Sequence, residues 1–401
     1  MFVSRLGGSW LDHPFLRGSF LLNDPADILA IIEAGIQEVW IDPEKGALPG
    51  AADPALSSGN GTRSSSAEPM TAAAAEPVST TPQRRHTPNH GASMASEVAR
   101  AQRICQTAKS QIMEMFDEAR LGKAIDPSTT LPLVDEITAS VRRQPAALIS
   151  VARLKTHDDY TYLHSVAVCA LMLTLARQLG LDAHETRLAG LSGLMHDLGK
   201  AAMPAEILNK PGRLTNAEFE VMRAHPAAGA QMLAAGGAAS EVQDVALHHH
   251  ERMDGGGYPH ALCGDQISHL ARMAVICDVY DAVTSNRAYK APWNPAGAMR
   301  QMAQWEGHFD QAIFSAFVKA VGIYPVGALV RLASKRLAVV VEPGTQSLLK
   351  PKVRVFFSLR TNEPIPLQVI DLAAADYGDS IAGPEDPGQW KFSNLDDLWR
   401  P

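Results

Sequence analysis

The chain has 401 residues and a formal net charge of −7, with 46% hydrophobic and 20% charged residues. That length predicts two or three domains, each able to bury its own core, and the acidic balance argues against the broad basic face that nucleic-acid binding needs. Cys105, Cys169, Cys263 and Cys277 show no CxxC spacing, so neither a disulfide framework nor a cysteine zinc site is expected, and a reducing cytoplasmic setting is. The longest apolar helical run, residues 166–176, is too short to span a bilayer, and no signal peptide is read at the start, so no membrane partner is expected.

Residues 1–45 read as a small α/β piece. Residues 28–34 have helical apolar content that Asp24-Pro25 or Asp27 can start and Gly35 can stop, and residues 38–42 then read as a short strand. Trp10, Phe15 and Trp40 are read as core. From residue 46 to 93 the composition shifts to Ala, Ser, Pro, Thr and Gly. Such a stretch buries too little apolar surface to offset its ordering entropy, so it is expected to be a flexible insertion within the N-terminal module.

Residues 96–122 carry Val98, Ala101, Cys105, Ala108, Ile112, Met115 and Ala119 at spacings of three and four, which predicts an amphipathic helix. Packing on its own domain and pairing with a twin helix in a homodimer both fit the stripe. The small residues at 101, 108 and 119 favour the former. Residues 131–142 and 146–155 read as helices broken at Pro145.

A long apolar helix from about Asp158 to Leu179 follows, carrying His164 near its start and stopping at Gly180. Residues 184–197 form the next expected helix, ending in His196-Asp197, with Gly199 as its stop and Lys200 one turn beyond His196. Thr215-Asn216-Ala217-Glu218 is a capping box, and His225-Pro226 starts another helix. Residues 242–250 are expected to be helical and end in His248-His249-His250. Three glycines and a proline make 254–259 a loop, and 267–286 the last long helix, with Asp278 on it and Asp281 one turn on. One or two helices reach about Val321. Beyond Tyr324, residues 328–332, 337–341, 353–357 and 366–372 read as short strands.

A lone buried histidine is usually a hydrogen-bonded core residue. His164, His196, His225, His249 and His250 with Asp197 and Asp278 come from five segments, and imidazole with carboxylate is the ligand chemistry that holds two divalent ions.

His196-Asp197, with His164 upstream and Asp278 downstream, resembles the HD hydrolase superfamily. The run from His249 through Glu251, Arg252, Met253, Asp254 and the glycines to Tyr258-Pro259 is similar to the signature of the HD-GYP family of cyclic di-GMP phosphodiesterases. The resemblance covers roughly residues 150–325. The N-terminal stretch around Trp10–Phe15 and Val39–Asp42 is similar to an uncharacterised domain often joined to HD-GYP domains. There a further strand usually precedes the equivalent of Met1–Val3, so the chain is expected to begin inside that pattern.

The residue patterns and the resemblance together give a mainly α fold: an N-terminal α/β module over 1–122 containing the insertion at about 46–93, a helical catalytic domain over 123–325, and a β-rich appendage over 326–401. The resemblance implies a first metal held by His164, His196, Asp197 and Asp278, and a second held by His225, His249 and His250, with Asp197 bridging. Iron and manganese suit these ligands better than magnesium. It also implies attack on cyclic di-GMP by a metal-bridging hydroxide to give pGpG or GMP, with Asp197 and Lys200 as catalytic residues. Lys200, Gly257, Tyr258, Pro259, Arg287 and Lys290 would meet the substrate, and protein partners would meet the GYP loop. Two alternatives stand beside this reading: a catalytically silent module that binds cyclic di-GMP or a protein, and an HD hydrolase of another nucleotide.

Some family members hold a third metal with a Glu one turn before the first ligand His. Here that position is Tyr160, whose phenol, with an unperturbed pKa of about 10, is a poor ligand. Asp158 and Asp159 do not share that helix face, so two metals are expected. Removing residues 50–90 is expected to leave phosphodiesterase activity nearly intact, and limited proteolysis should cut there first. Strong hydrogen-exchange protection of that stretch would count against the linker reading.

Overall fold

The computed structural model describes residues 2–6, 20–21, 39–41, 94–154, 160–210, 212–285, 292–344, 347–374, 378–390, 392 and 395–400. The helix expected at 28–34, the insertion, Trp10, Phe15, Asp158, Asp159, Arg287 and Lys290 lie outside them. By its internal contacts the chain divides into two compact units, 1–90 and 91–401.

In the first unit, β1 (Phe2–Leu6), β2 (Phe20–Leu21) and β3 (Val39–Ile41) form an antiparallel sheet in the order β2-β1-β3. The strand expected at 38–42 is therefore formed. Trp40, expected in the core, is instead 45% exposed.

The second unit begins with α1 (Met94–Arg120), followed by α2 (Leu131–Arg143) and α3 (Pro145–Arg153). Every member of the expected α1 stripe is buried within this chain, together with Ile104 and Phe116. Helix α1, which the sequence reading attached to the N-terminal module, thus packs in the second unit. Pro145 is the first residue of α3, where its missing N–H costs nothing. Glu97 on α1 is fully buried and accepts from Arg143 Nε at 2.8 Å, Arg143 Nη2 at 2.9 Å and Ser140 Oγ at 2.9 Å, which ties α1 to α2.

Next come α4 (Tyr160–Gln178) and α5 (Ala183–Met195), a 3₁₀ turn over Leu198–Ala202, then α6 (Ala205–Leu208), α7 (Asn216–Met222), α8 (His225–Ala235) and α9 (Ser240–His248). They lead to α10 (His269–Thr284), α11 (Pro295–Ala303) and α12 (Gln311–Val321). Helix α4 is buried on nearly all sides, from Val166 through Leu173, as a central helix should be. Asp182 and Glu185 close a capping box at the start of α5, and Thr215 and Glu218 do so for α7.

Two junctions depend on glycine. A Cβ on Gly193 would lie 3.0 Å from the Cys169 backbone, so α5 crosses α4 there at close range. A Cβ on Gly199 would fall 1.9 Å from the His225 carbonyl oxygen, which brings the 3₁₀ turn against the start of α8. Gly199 was expected to stop a helix; the chain instead leaves α5 at Met195 and Gly199 serves this contact.

The remaining strands, β4 (Leu329–Leu332), β5 (Arg336–Glu342), β6 (Lys352–Ser358), β7 (Glu363–Asp371) and β8 (Ile381–Pro384), make an antiparallel sheet in the order β7-β6-β5-β4-β8. Strand β8 was not read from the sequence; Ala-Gly-Pro carries little strand propensity, and it is paired through β4. Leu337, Val339, Phe356, Phe357 and Trp399 share one core with Met94, Val98 and Ala147 of the helical part. All four cysteines are free thiols, and among the described residues no helix is long and apolar enough to cross a membrane.

Gly199→Ala is expected to destabilise the protein by about 1–3 kcal/mol, the usual cost of forcing a methyl into packed backbone. Thermal unfolding should show a lower Tm, and an unchanged Tm would refute the close contact.

Candidate metal centre

Seven side chains converge beneath a cleft of about 910 Å³. His164 projects from the first turns of α4 and Asp278 from α10. The others sit at helix ends: His196 caps α5, Asp197 lies in the turn after it, His225 opens α8, and His249 and His250 follow α9. Five of the seven therefore come from chain termini of helices, where backbones can approach one another closely. His196, expected in the last turn of a helix running to Asp197, stands where the α-helix, ending at Met195, hands over to a 3₁₀ turn.

The two oxygens of Asp197 face different neighbours. Oδ2 lies 3.5 Å from His164 Nε2 and 3.3 Å from His196 Nε2. Oδ1 lies 3.4 Å from His225 Nε2 and 3.6 Å from His249 Nε2. Asp278 Oδ1 is 3.0 Å from His164 Nε2 and 4.0 Å from His196 Nε2, and its Oδ2 is 4.0 Å from His250 Nδ1. Three sets of side chains are each compact enough to share an ion: His164, His196 and Asp278; His196, Asp197 and His249; and His225, His249 and His250.

Four imidazoles are oriented alike. Nδ1 of His164 meets Asp281 Oδ2 at 2.6 Å, and Nδ1 of His196, His225 and His249 meets the carbonyls of Gly193 at 2.8 Å, Met222 at 2.7 Å and Ala246 at 2.9 Å. Anchoring Nδ1 as a donor leaves Nε2 as the lone-pair nitrogen, aimed at the centre. His196 Nε2 and Asp197 Oδ1 are buried without a hydrogen-bond partner. Buried polar atoms are normally paired, and such atoms at the focus of a His and Asp set fit divalent cations.

The electrostatics of four of the seven agree with ligation, while Asp197 and Asp278 overcome burial and raise the His196 pKa. Burial pushes the His249 pKa down to about 4, and burial together with His249 pushes His250 well below its ordinary value, so both rings are neutral near neutral pH. Burial opposes the charged form of Asp197, yet Lys200 and His196 hold its pKa well below the usual range. Asp278 is likewise held low against burial, by His164. Lys200 Nζ sits 2.5 Å from Asp197 Oδ2 and lines the cleft.

Of the residues expected to meet substrate, Lys200, Gly257 and Tyr258 line the cleft, whereas Pro259, which follows Tyr258 through a cis peptide bond, is not among the lining residues. The Tyr258 ring stacks on His250 with centroids 4.8 Å apart. His248, outside the seven, pairs with Asp244 at 2.7 Å and His260 at 3.0 Å.

Glu251 has a role that the sequence reading did not give it. Its carboxylate is fully buried and accepts from the backbone N–H of His260 at 2.7 Å and of Leu262 at 3.1 Å. A Cβ on Gly257 would fall 2.4 Å from Glu251 Cα, so the loop folds tightly back onto this residue. Asp254 N–H donates to Gly307 O at 2.8 Å and Met253 N–H to His308 O at 3.3 Å, which pins the loop to the turn between α11 and α12. A charged residue directly after two candidate ligands was the available signal.

Asp281→Ala is expected to weaken metal retention about 10- to 100-fold, the usual cost of losing the partner that orients a ligand histidine. Chelator competition followed by elemental analysis checks this, and wild-type retention would remove Asp281 from that role.

The sequence model of the HD domain family matches residues 140–313, and a domain of unknown function, DUF3391, matches residues 1–130. A cyclic di-GMP phosphodiesterase of Pseudomonas aeruginosa is 53% identical across 100% of this chain and 92% of that protein. A cyclic di-GMP phosphodiesterase response regulator of Xanthomonas campestris is 39% identical over 36% of this chain and 39% of its own length. A 3′3′-cGAMP-specific phosphodiesterase of Vibrio cholerae is 34% identical over 43% of this chain and 42% of its own length.

Proposed function

The chain belongs to the HD-GYP family of HD-domain phosphodiesterases, and from that premise we propose that it hydrolyses the 3′,5′-phosphodiester of cyclic di-GMP, to pGpG or GMP. The observation that carries the reading is Asp197, whose oxygens each face a separate histidine group at 3.3–3.6 Å. His164, His196, Asp197 and Asp278 would hold one divalent ion and His225, His249 and His250 the other, with Asp197 shared. Two such cations supply hydroxide at neutral pH and share the charge that grows on the phosphoryl oxygens. Mixed imidazole and carboxylate ligands favour iron or manganese over magnesium.

The protein's own groups supply the rest. Nδ1 anchoring holds each imidazole in the tautomer that presents Nε2. Lys200, 2.5 Å from the shared carboxylate, is within reach of a phosphate seated at that carboxylate and offers it a cation. Tyr258, backed by His250, forms one wall, so the substrate enters with its diester towards the floor. Arg287 and Lys290 remain candidates for the second phosphate.

Asp197→Ala is expected to abolish both metal retention and cyclic di-GMP hydrolysis, because it removes the one ligand common to both ion sites. Elemental analysis of the unmutated protein, purified anaerobically with iron or manganese, should give two metals per chain. Full metal content with normal turnover in the variant would sink the shared-ligand assignment, and a stoichiometry near three in the unmutated protein would overturn the two-metal reading.

A further inference from the structure

We propose that Arg223, beside the open ring of Phe219, reads a guanine base of the substrate and sets the preference for guanine over adenine, an inference that rests on the cyclic dinucleotide reading of the cleft. Both residues line the cleft on the α7 side. Phe219 is 46% exposed, an aromatic ring that the core does not use. Its centroid lies 6.3 Å from that of Tyr258, and the Arg223 guanidinium stands 4.8 Å from the Tyr258 centroid. An aromatic face, a guanidinium and the candidate ligand His250 behind Tyr258 thus run in sequence from the rim to the floor.

Arg223 is separated from the other described cations of the cleft by how weakly it is held. Lys200 contacts the buried Asp197 at 2.5 Å, Lys210 contacts Glu218 at 2.6 Å, and Arg252 contacts Asp254 at 2.6 Å. Each of the three is in a closer ion pair than Arg223 is. Arg223 Nη1 contacts Glu220 at 3.1 Å, an exposed pair with 66% of the Glu220 side chain open to solvent. Exposed pairs of this kind contribute little, about 0–1 kcal/mol. A guanidinium has five N–H donors, so one carboxylate contact at Nη1 leaves a fork for a second partner.

The chemistry selects the base. Guanine presents O6 and N7 as adjacent acceptors, which a guanidinium meets with two parallel hydrogen bonds. Adenine places an N6 amino donor where guanine has O6, so the same fork meets donor against donor. Stacking on an exposed ring is indifferent to base identity, since every base has a π face. Phe219 would therefore supply purine affinity and Arg223 the discrimination.

The test uses the metal-loaded full chain, measuring KM for cyclic di-GMP and the inhibition constant of cyclic di-AMP as a competitor. Arg223→Gln is expected to lower the ratio of the inhibition constant to KM by about 10-fold, the scale of one bidentate base contact, mainly through a rise in KM. Arg223→Lys keeps the charge without the fork and should recover little of the ratio. Phe219→Ala should weaken both nucleotides by a similar factor and leave the ratio in place. An unchanged ratio in Arg223→Gln, or an equal loss for both nucleotides, overturns the proposal while leaving the phosphodiesterase reading intact. Absence of cyclic di-GMP turnover in the unmutated protein overturns both.

Discussion

A carboxylate at 1% exposure governs the architecture around it. Burying Asp197 is costly unless both oxygens are compensated, and the compensation cannot come from one neighbour, because each oxygen faces its own group of histidines. The chain meets this by assembling α4, α5, α8, the end of α9 and α10 around a single point. Close approach at that point depends on Gly193 and Gly199, where a methyl group would strike backbone. Removing the carboxylate would leave the His225 and His249 Nε2 atoms, 3.3 Å apart, without the oxygen they face, while His164 and His196 would keep Asp278.

Outside the seven candidate ligands, a second layer fixes orientation. Backbone carbonyls at Gly193, Met222 and Ala246 and the carboxylate of Asp281 each take one imidazole nitrogen. Three of these acceptors are main chain, so the tautomers are tied to the helix ends themselves. Glu251 does the corresponding work for the loop, accepting two backbone N–H groups over a glycine that only a bare Cα can fill. Backbone groups thus hold both the floor, at His249, and the cleft wall, through Glu251 and the Gly307 turn.

The C-terminal sheet and α1 share a core with α3. Val98 and Met94 at the start of α1 pack with Leu337, Val339 and Phe357, and Glu97 pairs with Arg143 in the same region. Burial works against the charged form of Glu97, and the hydrogen bonds from Arg143 and Ser140 bring its pKa below the ordinary value. A buried ion pair of this kind specifies which helices meet more than it adds net stability.

The sequence by itself determined the ligand types, the helical periods and the family resemblance. His and Asp at 164, 196, 197, 225, 249, 250 and 278 are chemistry that no apolar core requires, and the α1 stripe is a spacing that only a helix satisfies. It determined less about ends. The α5 boundary, the work of Gly199 and the exposure of Trp40 follow from neighbours distant in the chain, which local propensity does not register. The tertiary structure alone decided which oxygen of Asp197 faces which histidine, that the histidine Asp281 meets is His164, and that Glu251 holds the loop. It also set Arg223 beside Tyr258, 35 positions apart in the chain. Each of these is a distance between segments, and a distance between segments is fixed by packing rather than by the identity of adjacent residues.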